Sequence, residues 1–133
     1  MSRLYSEPHS SPWGQIDQCT MHCLGIFDVM TPRHGGIMVA SEVEEILSPV
    51  ARERGWRVDG YLCYEEDCDA PIVLRELLDK DLIQIPKYFK SREAYETVIN
   101  ESLKLWHPEY WQSRQNSLQK AQQPSHTAIQ AER

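Results

Sequence analysis

No run of about 18 apolar residues occurs, the length a helix needs to cross a bilayer, and the first 30 residues lack the basic start and long apolar centre of a secretory leader. Those gaps predict a chain with no membrane partner, and the cytoplasm is its default compartment. A Gly-rich loop closed by Lys-Ser/Thr is also missing, so no nucleotide-phosphate cradle is expected. The cysteines lack the two-residue gap common in structural zinc sites. Cys19, His22, Cys23, Cys63 and Cys68 are soft ligand types, but on a strand His22 faces away from Cys19 and Cys23. In a reducing compartment small free thiols are the expectation. Neither a metal nor an organic cofactor is implied.

Positive charge is in the minority too, with 14 Lys and Arg against 20 Asp and Glu, for a formal net charge of −6. The imbalance is local. Residues 61–80 hold six acids against two bases, whereas 111–133 hold one acid against three bases. A surface of that sign repels phosphate backbones, so no direct nucleic-acid partner is expected. It suits the basic surface of another protein.

With 133 residues, 41% of them hydrophobic and 26% charged, the chain is long enough for one ordinary core and too short for two. The apolar pattern predicts a single α+β domain over 12–110, a small antiparallel sheet packed against two or three helices. A flexible arm of 1–11 would precede it. A polar tail of 111–133, disordered or a frayed helix, would follow.

Alternation over Ile16–Cys23, a turn near Leu24-Gly25 and a run over Ile26–Met30 predict a hairpin. In the loop Pro32–Gly36, the paired glycines are expected to permit positive φ. A short strand over Ile37–Ala40 should pass into a helix begun by Ser41 and Glu44, which have capping-box spacing. Ser48 is placed to cap a second short helix starting at Pro49 and ended by Gly55. Trp56–Tyr64 reads as one strand with a bulge at Gly60. Asp69 is placed to cap the next helix, which carries Val73, Leu74, Leu77 and Leu78 inward. Leu82–Ile85 reads as an edge strand or an extended link. Ser91 begins the clearest helix, with Tyr95, Val98, Ile99, Ser102, Leu103 and Trp106 on one face and a stop at His107-Pro108. Trp106, Tyr110 and Trp111 are candidates for a partner anchor or for core.

Two polar stretches stand apart from the core pattern. Four carboxylates, Glu65, Glu66, Asp67 and Asp69, fall within five positions after Tyr64. Acids there stabilise the exposed N–H groups at a helix start by roughly 0.3–1 kcal/mol each, which explains one or two of the four. The others are free for charge complementarity, and Glu65, Glu66, Asp67 and Asp69 with Tyr64 form one half of a candidate binding surface. His34 with Gly35 and Gly36 forms the other half, a loop where backbone amides can face an anion. An alternative is a hydrolase or transferase that uses His34 as a base oriented by Glu66 or Asp67, or a cation held by the acidic turn.

The succession Ser11-Pro12-Trp13-Gly14, Thr31-Pro32-Arg33-His34-Gly35-Gly36 and Tyr64-Glu65-Glu66-Asp67-Cys68 resembles an uncharacterised family of small bacterial proteins carried by plasmids, prophages and related mobile elements. The likeness spans residues 11 to about 80. It implies a genetic setting and no activity. Small acidic proteins of such elements often act by covering a basic surface of host machinery. That analogy implies an accessory binding factor, an inhibitor of a nucleic-acid-guided or nucleic-acid-cutting defence system of the anti-CRISPR kind.

Overall fold

A computed structural model describes residues 7–122, within which the expected α+β architecture holds. Five strands form one antiparallel sheet: β1 (Gln18–Cys23), β2 (Ile26–Met30), β3 (Gly35–Ala40), β4 (Trp56–Val58) and β5 (Tyr61–Glu65). Their order across the sheet is β1-β2-β3-β5-β4. Helices α1 (Pro49–Arg54), α2 (Ala70–Asp79), α3 (Arg92–Trp106) and α4 (Pro108–Ala121) complete the fold.

Period-two alternation divides the sheet residues between two faces. Ile26, Ile37, Val39, Leu62 and Tyr64 join Ile72, Val73, Leu77, Leu78, Ile99 and Leu103 in the main core beneath the helices. Phe27, Val29, Met38 and Cys63 point the other way, where Trp13 and Ile16 from the segment before β1 cover them. Burial among these groups pushes the Cys63 thiol pKa up to about 12. All four cysteines are free thiols.

Local chemistry explains most boundaries. Gly25 at φ 84° turns the β1–β2 hairpin. Ser48 accepts a bond from the Ala51 amide at 3.2 Å with Pro49 in the first helical turn, and Gly55 closes α1 as expected. Ser91 caps α3 through the Ala94 amide at 3.1 Å.

Four expectations need correction. Ser41–Ile46 is a 3-10 helix capped at Ala40 without a side-chain bond, and the Ser41 amide instead bonds Gly60 O at 3.0 Å. The capping-box spacing lost to a tertiary hydrogen bond. Trp56–Tyr64 is a hairpin: Asp59 and Gly60 both adopt positive φ, 50° and 85°, the geometry of a two-residue turn. Gly35 and Gly36 are extended residues of the buried strand β3. Leu82–Ile85 is a link, the second of its two expected forms, and not a strand. On α3, Tyr95, Ile99 and Leu103 are buried, whereas Val98 and Trp106 are 56% and 53% exposed, so the inward stripe is narrower than its period suggested.

Helix α4 occupies Pro108–Ala121, so residues 111–121 of the expected polar tail are helical. Three polar tertiary ties hold it: Arg114 grips Asp79 through two bonds of 2.8 Å, the buried Tyr110 hydroxyl donates to Glu76 at 2.7 Å, and Arg54 pairs with Glu109 at 3.0 Å. Residues 1–6 of the expected arm and 123–133 of the expected tail lie outside the described residues.

Candidate functional site

The first polar stretch is built around Thr31. Its amide and hydroxyl both donate to His34 O, at 2.8 and 2.6 Å, and its hydroxyl oxygen accepts from the His34 amide at 3.1 Å. That closes the β2–β3 loop and leaves Arg33 and His34 exposed. The glycines are required by close approach. A Cβ on Gly36 would overlap the Tyr64 carbonyl oxygen and lie 2.5–2.6 Å from the Trp13 ring, and one on Gly35 would lie 2.5 Å from Val29 O. Both glycines are buried between β2 and β5. The exposed amide cradle proposed for an anion is therefore not formed by them.

Trp13 reaches Gly36 because Ser11-Pro12-Trp13-Gly14 is a tight turn. The Ser11 hydroxyl donates to Gly14 O at 2.7 Å, and Ser11 and Gly14 form an isolated bridge. The indole then meets Trp56 edge-on, with centroids 6.0 Å apart. These two sequence motifs thus serve one packing arrangement.

The second stretch, after β5, separates its acids into two pairs. Glu65 Oε1 accepts from the amides of Asp67 and Cys68 at 3.0 and 3.2 Å, locking the turn from within. Asp69 stands at the start of α2 in helical geometry and makes no capping bond. Its carboxylate lies 2.8 Å from Nε2 of the buried His107, tying the turn to the α3–α4 junction. Glu66 and Asp67 remain exposed. Tyr64 is fully buried and its hydroxyl donates to Ala51 O at 2.7 Å. Burial first, and then the nearby Glu76 charge, push its pKa up. It belongs to the core and contributes nothing to an outward surface.

Glu66 and the β2–β3 loop do meet. The Glu66 amide bonds Gly35 O at 3.0 Å, and its carboxylate oxygen would lie 3.3 Å from a Cβ on Gly35. Partial burial and then the charges of Asp67, Glu65 and Asp28 raise the Glu66 pKa, and His34 opposes them. Asp28 is a partner that sequence reading passed over. It lies opposite Ile37 on β3, on the helix-facing side of the sheet, where burial raises its pKa and His22 lowers it. Only alternation inside an apolar strand could have flagged it. Among the described residues no three His, Cys, Asp or Glu side chains converge as a metal site.

A second polar centre was invisible in sequence. Glu76, 7% exposed, accepts from the Ser48 amide, the Ser48 hydroxyl and the Tyr110 hydroxyl, each at 2.7 Å. It borders a cavity of about 310 Å³ between α1, α2 and α4.

Residues 6–133 match a family model described as a domain of unknown function, DUF7007. The chain belongs to the DUF7007 family. No curated protein and no solved structure matches it. Membership in DUF7007 brings no assigned activity, so function rests on the chemistry above. Among the described residues, no helix is long and apolar enough to cross a membrane.

The exposed pair gives a direct test of adjacency. Replacing His34 with Ala removes the positive charge that holds Glu66 down, so the Glu66 carboxyl should titrate at higher pH in the variant. Carboxyl-carbon NMR reads the shift. An unmoved Glu66 titration would separate the two groups.

Proposed function

We propose that this DUF7007 protein is an acidic accessory factor of a mobile element that binds a basic surface of a host protein. The observation that supports it best is the division of labour in the turn after β5. Glu65 and Asp69 are consumed internally, and they hold the corner on which Glu66 and Asp67 face outward. Such a corner presents charge with little ordering cost on binding, which favours capture of Arg and Lys groups. Where those groups hold phosphate, the carboxylates compete with nucleic acid, which makes an inhibitor of a nucleic-acid-targeting defence system the specific form of the proposal.

The test is capture of a basic host nuclease or guide-binding protein by the wild type and by Glu66→Lys/Asp67→Lys. Capture should fall at least tenfold, while the melting transition stays nearly unchanged because, among the described residues, neither side chain makes a hydrogen bond or salt bridge and Glu66 gives up only the weak attraction of His34. Equal capture by both proteins would end this reading.

Contact between Glu66 and the His34 loop favours a second reading, a hydrolase or transferase with His34 as base and Glu66 as its orienting carboxylate. Asp67, the other carboxylate in that scheme, points to solvent. Turnover of a test substrate that vanishes in His34→Ala, with folding intact, would select this reading over the first.

A further inference from the structure

The Glu76 carboxylate is buried, and among the described residues it has neutral donors only, two from Ser48 and one from Tyr110, with no Lys, Arg or His paired to it. Every other buried charge nearby is matched. Arg75, 2% exposed, meets Glu96 and Asp79 at 3.1 Å and Asn100 at 2.7 Å. Arg114 is spent on Asp79, Gln115 and the face of Trp111. A buried charge without a counterion is costly, and this one opens on a cavity. The cavity wall adds Ser113, Ser117 and the ion pair of Asp79 with Arg114, and Pro49, Val50 and Leu118 as an apolar lining. At about 310 Å³ it lies at the lower end of the size range of ligand pockets.

We propose that this cavity binds a primary alkylammonium group, its charge set against Glu76 and the serine hydroxyls and its methylene stem against Val50 and Leu118. An ammonium carries three donors and no acceptor, which fits a wall where the donors of Ser48 and Tyr110 point at Glu76 and those of Arg114 at Asp79 and Gln115. A lysine side chain of a partner and a free polyamine share this chemistry. The site does not depend on the outward acidic corner, although a lysine source would extend that reading.

The experiment titrates n-butylammonium into the isotopically labelled full chain and follows amide shifts. Saturable shifts at Val50, Ser113 and Ser117 are expected. n-Butanol at equal concentration should leave those amides in place. Glu76→Gln keeps the size of the side chain and removes its charge, and should weaken binding at least tenfold with circular dichroism unchanged. If that variant fails to fold, Ser113→Lys supplies an ammonium from the chain itself and should abolish the shifts. Lysine blocked as its Nα-acetyl methylamide, with the ε-ammonium free, and putrescine then distinguish the two sources, and tighter binding of either supports the site. Identical shifts with butanol, or shifts confined to Glu66 and Asp67, would overturn it. The latter result would leave the acidic corner standing, and equal capture by its Lys variants would end that reading and leave the cavity untouched.

Discussion

Gly36→Ala is expected to lower stability by about 3 kcal/mol or more, which for a domain of this size moves the melting temperature by roughly 10 °C. Gly36 lies in the central strand, between Val29 of β2 and Glu65 of β5. Its missing side chain lets the Tyr64 carbonyl oxygen and the Trp13 ring close in from two directions. The ring can shift at the loss of its contacts with the second apolar cluster. The carbonyl cannot, because it belongs to the backbone of a paired strand. Thermal melts of Gly36→Ala, Trp13→Ala and the double variant separate the two contributions. If the carbonyl dominates, Gly36→Ala remains severe without the indole. A melting temperature within two or three degrees of wild type would show that β3 and β5 do not approach this closely.

Arg75→Ala should rank beside it, at about 3 kcal/mol, with Arg75→Met distinctly milder. Arg75 is a cation at the centre of the helical layer, joining Asp79 on its own helix to Glu96 and Asn100 on α3, while Asp79 passes the connection to Arg114 on α4. Truncation leaves a void and two carboxylates each short of a partner. Methionine refills the volume, and the acids retain Arg92 and Arg114. Because both carboxylates are about one-third exposed, the loss falls at the low end for a broken buried pair. Urea unfolding checks it, the midpoint falling at unchanged slope.

The same cluster sets the acid sensitivity. Burial raises the Asp79 pKa, but the Arg114 hydrogen bond and the charges of Arg75 and Arg114 outweigh it, and the net shift is downward. Glu96 is held down by Arg92 first and then, against some burial, by Arg75. A carboxylate depressed in the folded state contributes stability that is fully present above its unfolded pKa, near pH 4–5, and lost as pH falls through the folded value. Wild-type stability should therefore drop as pH falls below about 4. Arg75→Met should show a shallower drop, since it has less of this contribution to lose.

Sequence alone determined the parts of this protein that depend on neighbours in the chain. The β1–β2 hairpin, the Ser48-Pro49 start of α1, its close at Gly55 and the Ser91 start of α3 follow from turn chemistry, capping and apolar period, all acting within a few residues. The acidic turn and its place before α2 were equally plain. Tertiary structure alone decided what could be spared for function. Asp69 has the right residue type for a cap, yet its carboxylate goes to His107, 38 positions away. Gly35 and Gly36 look like loop residues, yet a strand and an indole need their space. Glu76 reads as an ordinary helix-surface acid until Ser48 and Tyr110, from two other helices, enclose it. Each outcome depends on groups distant in sequence that compete for one hydrogen bond or one volume. Local pattern cannot register that competition, because its winner is fixed only when the sheet and the four helices close on a common core.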